Sequence, residues 1–185
     1  MRYFIVPVVC AVALASCSKG AQVDVKNGSV NDVAAAVTQS GVMTSGTMIE
    51  PGLWESKVTF KDVQMPDLPP GVADQMKKSM ARHREQTNSN CVTPDEVKNP
   101  KKGFFTGIDK SCRYEHFTMG GGRIDIRMIC NVEGSTQTTD MAGTYTPTTY
   151  SMDMASQSTG NHAGGMAMKM HVDARRVSEC SAKDG

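Results

Sequence analysis

Residues 164–171 read GGMAMKMH, with Met166, Met168 and Met170 at every second position and His171 directly after them. Thioether sulfurs are the soft ligands that copper(I) prefers, and a strand would set all three on one face. Upstream, Met152 and Met154 alternate in the same way around Asp153. If the two segments pair as strands, five thioethers share one surface, and a copper(I) site is one reading of them. The same alternation is what any half-buried strand shows, and methionine is an adaptable filler of irregular apolar space. His171 falls on the opposite face, next to Lys169, a poor neighbour for a cation. The first reading is therefore a sheet face without a cofactor. It is either core or the wall of a site for a flexible apolar ligand such as an acyl chain. Copper(I) held by Met152, Met154, Met166, Met168 and Met170 is the alternative.

The other residues capable of chemistry do not form a catalytic pattern. There is no nucleophile elbow, no His-Glu-x-x-His, no phosphate-cradling glycine loop and no dinucleotide fingerprint. Gly120, Gly121 and Gly122 precede a strand rather than a helix, so they read as a hairpin turn and not an anion site. His83, His116, His162 and His171 are scattered over helix, strand, loop and strand. Glu115 sits beside His116, but neighbours along a strand point to opposite faces. No enzyme is expected. With 20 Lys and Arg against 19 Asp and Glu, there is no basic surplus to neutralise phosphates, and nucleic-acid binding is not expected.

The first seventeen residues, MRYFIVPVVCAVALASC, carry one basic residue and an apolar run too short to cross a bilayer, which takes about 20 residues. They read as a secretory signal peptide. Its last four residues, Leu14-Ala15-Ser16-Cys17, resemble the bacterial lipobox, which implies cleavage before Cys17 and its lipidation. Ser18, in place of Asp, implies sorting to the outer membrane. The expected address is the cell envelope, anchored by lipid and facing the periplasm, with an apolar ligand or an envelope protein as partner. Once Cys10 leaves with the signal and Cys17 takes lipid, Cys91, Cys112, Cys130 and Cys180 remain. Four cysteines in an exported domain read as two disulfides with three connectivities. The favoured pairing joins neighbours, Cys91 with Cys112 and Cys130 with Cys180. Loops of those lengths contribute roughly 3 to 4 kcal/mol each in the chain-entropy model.

The elements that must position these residues are mostly strands. Residues 1–16 are the signal, and 17–49 are read as a lipidated, flexible tether holding the domain on the order of 30 Å from the bilayer, with a helical patch around Val30 to Val37 that could alternatively pack on the domain as an extra helix. Residues 50–185 form the domain. In LWESKVTF, Trp54, Ser56, Val58 and Phe60 alternate with Glu55, Lys57, Thr59 and Lys61, as in a half-buried strand with Trp54 in the core. VADQMKKSMARHREQ places Val72, Met76 and Met80 on one stripe beside Lys77, Lys78, Arg82 and Arg84. It reads as an amphipathic helix packed across the sheet. From Cys112 a meander follows: CRYEHFTM, a glycine turn, RIDIRMIC, STQTTDMAGTYT, TYSMDMAS and the strand ending ARRVSEC. The expected fold is α+β or mainly β. It has an antiparallel sheet of about five or six strands, one helix and two disulfides.

PGLWE at 51–55, CVTPDE at 91–96, Cys112, Cys130 and ARRVSEC near the end together resemble an exported bacterial domain of unknown function, family 3617. The likeness covers roughly residues 49–182, with Ser178 where the closing segment leads one to expect glycine. It implies a secreted, disulfide-bonded, sheet-rich domain, and it implies no activity.

Overall fold

A computed structural model describes residues 21–43, 48–99, 105, 107–160 and 165–181. In chain order the elements are β1 (Gln22–Ser29), α1 (Val30–Ser40), β2 (Gly52–Gln64), α2 (Pro70–Arg82), β3 (Glu85–Val92), α3 (Pro94–Lys98), β4 (Cys112–Gly120), β5 (Arg123–Val132), β6 (Ser135–Tyr145), β7 (Thr149–Gly160) and β8 (Ala167–Ser178). The strands form one antiparallel sheet in the order β1-β4-β5-β6-β7-β8-β2-β3. It has eight strands rather than five or six. The two that sequence reading did not find are the edges. β3 is polar and exposed over most of its length, and it is held by backbone pairing to β2. β1 lies inside the stretch read as a tether.

That tether is the first correction. Val23 is buried in β1, and the segment SVND opens α1 with a capping box: Ser29 Oγ accepts from the Asp32 amide while Asp32 Oδ2 accepts from the Ser29 amide at 2.8 Å. Val33, Ala34 and Val37, spaced for one helical face, are then buried against β1 and β4. Gly41, in the left-handed conformation, ends the helix. The second correction concerns α2. It touches little beyond β2, buries Ala73 only, and leaves Val72 and Met76 at 46% and 42% exposure. It ends at Arg82, because Glu85 and Gln86 already belong to β3. The apolar face of the sheet is covered instead by α1 and by the crossing from β3 to β4, through Val97, Phe105 and Ile108.

Register explains why one face of the sheet is apolar. Reading across the strands, Val25, Phe117, Ile126, Met141, Met154, Met170 and Phe60 are successive cross-strand neighbours. The adjacent row runs Val23, Met119, Ile124, Gly143, Met152, Val172 and Val58. The faces foreseen for β2 and β5 are those observed, and Trp54 is buried, donating from Nε1 to the Glu50 carbonyl at 3.0 Å. The opposite face carries cross-strand charges. Glu55 meets Arg175, Arg127 meets Glu115 and Asp140, Lys57 meets Glu85, and His116 meets Asp125. A bulge at Glu115 turns it to the same polar face as His116, contrary to simple alternation.

The disulfides are Cys91–Cys180 and Cys112–Cys130, so the neighbour pairing is wrong. The glycine hairpin decides one of them. With the bulge included, counting back from the turn sets Cys112 directly opposite Cys130. The other ties the outer edge strand to the segment after β8, across β2. Sequence separations of 89 and 18 residues lead us to expect losses of about 4.6 and about 3.2 kcal/mol when each pair is replaced by alanine. Guanidinium unfolding of the two double variants checks the order; a larger loss from the Cys112–Cys130 pair would count against it.

On the polar face His171 lies between two carboxylates. Its Nδ1 is 2.7 Å from Asp153, its Nε2 is 3.2 Å from Asp173 and 3.3 Å from Ser151 Oγ. The bond to Asp153, with Asp173 adding to it, raises the imidazole above its ordinary value of 6.5. Ser151 and the His171 charge lower Asp173. Asp153 and Ser151 of β7 and Asp173 of β8 thus converge on one imidazole, a cross-strand clamp between the two strands. A raised histidine contributes stability that is fully present below its unfolded pKa and is lost as pH rises through the folded one. The stability difference between the wild type and His171→Asn should therefore be larger at pH 5.5 than at pH 8.5. Urea unfolding at both pH values tests this, and an equal difference would remove the clamp from the account.

Candidate functional site

The apolar rows do not fill the space they face. Among the described residues they line a partly open cavity of about 520 Å³ beneath the segment after α1 and the β3–β4 crossing. This lies within the roughly 300–1,000 Å³ usual for small-molecule sites. Ile124, Ile126 and Met128 of β5, Met141 and Tyr145 of β6, and Tyr150, Met152 and Met154 of β7 form its floor. Val172, Trp54, Asn90 and Val92 continue the lining on β8, β2 and β3. Met43, Met48 and Ile49, after α1, and Val97 and Ile108 of the crossing lie over it. Tyr114 of β4 lines it too, and β3 is six strands away in the sheet order. A flat sheet would keep them roughly 29 Å apart. The sheet therefore curls into a trough, as twisted antiparallel sheets do.

Six methionines line this cavity: Met43, Met48, Met128, Met141, Met152 and Met154. Of the five singled out from sequence, Met152 and Met154 are among them. Met154 lies directly opposite Met170, which in turn neighbours Phe60. Met168 faces Ser156 and Val63 on the same side but outside the cavity lining, and Met166 precedes β8 at 39% exposure. The register thus brings Met141, Met154 and Met170 side by side and leaves Met166 apart. His171 is on the far face, as alternation requires. Cys17 and His162 lie outside the described residues.

Sequence reasoning missed Met43, Met48 and Met141. Met141 was legible from its alternation with Asp140 in β6; Met43 and Met48 sit in the stretch whose composition suggested a tether. Polar groups in the lining are few. Tyr150 shares a hydrogen bond with Ser56 Oγ at 3.4 Å and stacks on Trp54 at 5.9 Å. Tyr145 is raised by burial, opposed by a hydrogen bond from the Gly122 backbone. Burial pushes Tyr114 up to about 12. Glu96 is the one charged lining residue among those described, and it caps α3 through Thr93.

Such a site can hold a flexible apolar group and give it few polar contacts. Its described lining brings no base, nucleophile and oxyanion donor to one point. Comparison with curated proteins and with solved structures finds no match. The family described as "Protein of unknown function (DUF3617)" matches residues 49–180, from just before β2 to Cys180. That span holds seven of the eight strands and both disulfides, and leaves β1 and α1 outside. By this match, anticipated in the PGLWE opening and the four ordered cysteines, the chain belongs to the DUF3617 family.

Proposed function

We propose that this chain is a periplasmic lipoprotein, anchored to the outer membrane through Cys17, that binds a flexible apolar ligand in its trough without catalysis. The cavity carries the reading: about 520 Å³ lined by methionine, isoleucine, valine and aromatic rings, with one charge. Methionine-rich walls adapt to ligands of varied shape. The lipobox-like Leu14–Cys17 and two disulfides of an oxidising compartment support the address. With β1 starting at Gln22, four residues separate it from Cys17, and the five steps between the two span at most about 18 Å. The lipid would then hold the sheet end bearing Gln22 and the Gly120 hairpin close to the bilayer, instead of on a long tether.

A copper(I) site is the second reading, favoured by the neighbouring thioethers of Met141, Met154 and Met170. Trp54, the only tryptophan and a lining residue, reports on both. An uncharged apolar probe should shift its emission. Met154→Lys, which adds an unpaired charge to the wall, should weaken that binding roughly tenfold or more in a folded protein. Absence of any response to apolar probes would end the ligand reading. One tight equivalent of copper(I) under a competing chelator, lost when Met141, Met154 and Met170 become leucine, would replace it with the metal reading. For the anchor, labelled palmitate should enter the wild type and not Cys17→Ala; label in both would refute lipidation at Cys17.

A further inference from the structure

Tyr114 stands apart among the polar groups of the cavity. It is 2% exposed, and its hydroxyl has no hydrogen-bond partner among the described residues, whereas Tyr145 and Tyr150 have theirs. Among the described residues, the side-chain oxygens shut away without a partner are Ser111 Oγ and Ser135 Oγ, so the Tyr114 hydroxyl is not sealed in the core, and the residue lines the cavity. Its position is built. Cys112, two residues back, is disulfide-bonded to Cys130. The bulge at Glu115 puts Tyr114 and Phe117, three residues apart, on the same face. Phe117 meets the tyrosine ring edge-on at 5.5 Å. Opposite it on β1 is Gly28, which has no side chain to offer. The phenol stays protonated at any physiological pH, because burial pushes it up to about 12. It is therefore a fixed donor at the wall of an apolar space.

We propose that Tyr114 is the polar anchor of the trough, donating a hydrogen bond to the carbonyl oxygen of an uncharged long-chain ligand such as an ester or ketone. This rests on the ligand-binding reading above. Among the described residues the lining holds no Lys, Arg or His, and its one charge is the carboxylate Glu96. A free fatty carboxylate would bring a second negative charge with no cation to meet it, and burying it unpaired is unfavourable. An uncharged carbonyl needs only the donor that Tyr114 provides.

Trp54 fluorescence of the purified protein would be titrated with 2-undecanone and with undecane, each on the wild type and on Tyr114→Phe. That variant keeps the ring contact with Phe117 and removes the hydroxyl alone. The ketone should lose roughly tenfold in affinity, the worth of one hydrogen bond in a dry site, while undecane binds as before. Decanoate at pH 8 should bind wild type more weakly than the ketone. Equal ketone binding by both proteins, with undecane binding intact, overturns the anchor and leaves the ligand reading standing. Failure of both compounds to bind wild type overturns the ligand reading and the anchor with it. Should Tyr114→Phe not fold, the carbonyl stretch of isotope-labelled 2-undecanone on wild type decides: a shift to lower frequency than in hydrocarbon solvent supports the anchor, and no shift refutes it.

Discussion

Every strand of this sheet must turn its apolar residues to the same side, and a slip of one residue in any strand would send that strand's set into water. Two of the bulges keep the parity beside the trough, where simple alternation breaks. Lys61 is bulged between Phe60 and Asp62, so Phe60 and Val63 face the trough although three positions apart. Glu115 does the same between Tyr114 and Phe117. From these two bulges follow the unbroken row from Val25 to Phe60, the edge-on contact of Tyr114 with Phe117, and the placing of Cys112 against Cys130. The polar face reinforces the same register. Glu55 opposes Arg175, Arg127 opposes Asp140, and Asp153 opposes His171. Each exposed pair contributes little to stability. In a wrong register their benefit would be gone.

The cavity follows from unequal layers. Eight strands present an apolar surface, and an eleven-residue helix and the described residues of the β3–β4 crossing cover it. α2 does not help, since it sits against β2 with its stripe in solvent. Only 5% of the chain is aromatic, so few large rings are available to fill the space. At Gly143, between Ile124 and Met152 on the floor, a side chain would run into the Ser151 backbone, so that spot stays bare. An unfilled cavity weakens a domain. The two disulfides offset part of that loss, one closing the β4–β5 hairpin and the other fastening the β3 edge beyond β8. A trough that stays open while its rims are stapled is suited to accept a guest without rearranging the sheet.

Periodicity was decisive where one strand face is buried and the other wet. The strands from Cys112 onward, the opening strand from Trp54 to Phe60, and the face shared by Met152 and Met154 were all legible from alternation alone, because a period of two has one structural meaning over such lengths. Composition misled at residues 22–40. Small polar residues there suggested a tether, yet the capping box at Ser29 and Asp32 and the spacing of Val30, Val33 and Val37 marked a helix. Two-residue alternation at Val23 and Val25 marked its strand. β3 carried no local signal at all, since its sequence is polar and its stability comes from backbone bonds to β2 and from Cys91.

By itself the sequence determined the meander, which side chains face inward where no bulge intervenes, the family and the presence of four cysteines able to pair. Local rules suffice for these, because side-chain direction along a strand depends on neighbours two residues away. Tertiary structure alone decided the edge strands, the partner of each cysteine, and the fate of α2. It also decided that methionines from β5, β6, β7 and the segment after α1 meet around one cavity with Tyr114 in its wall. Those outcomes depend on register, bulges and the curl of the whole sheet, which join residues up to 125 positions apart and leave no mark in any short window of sequence.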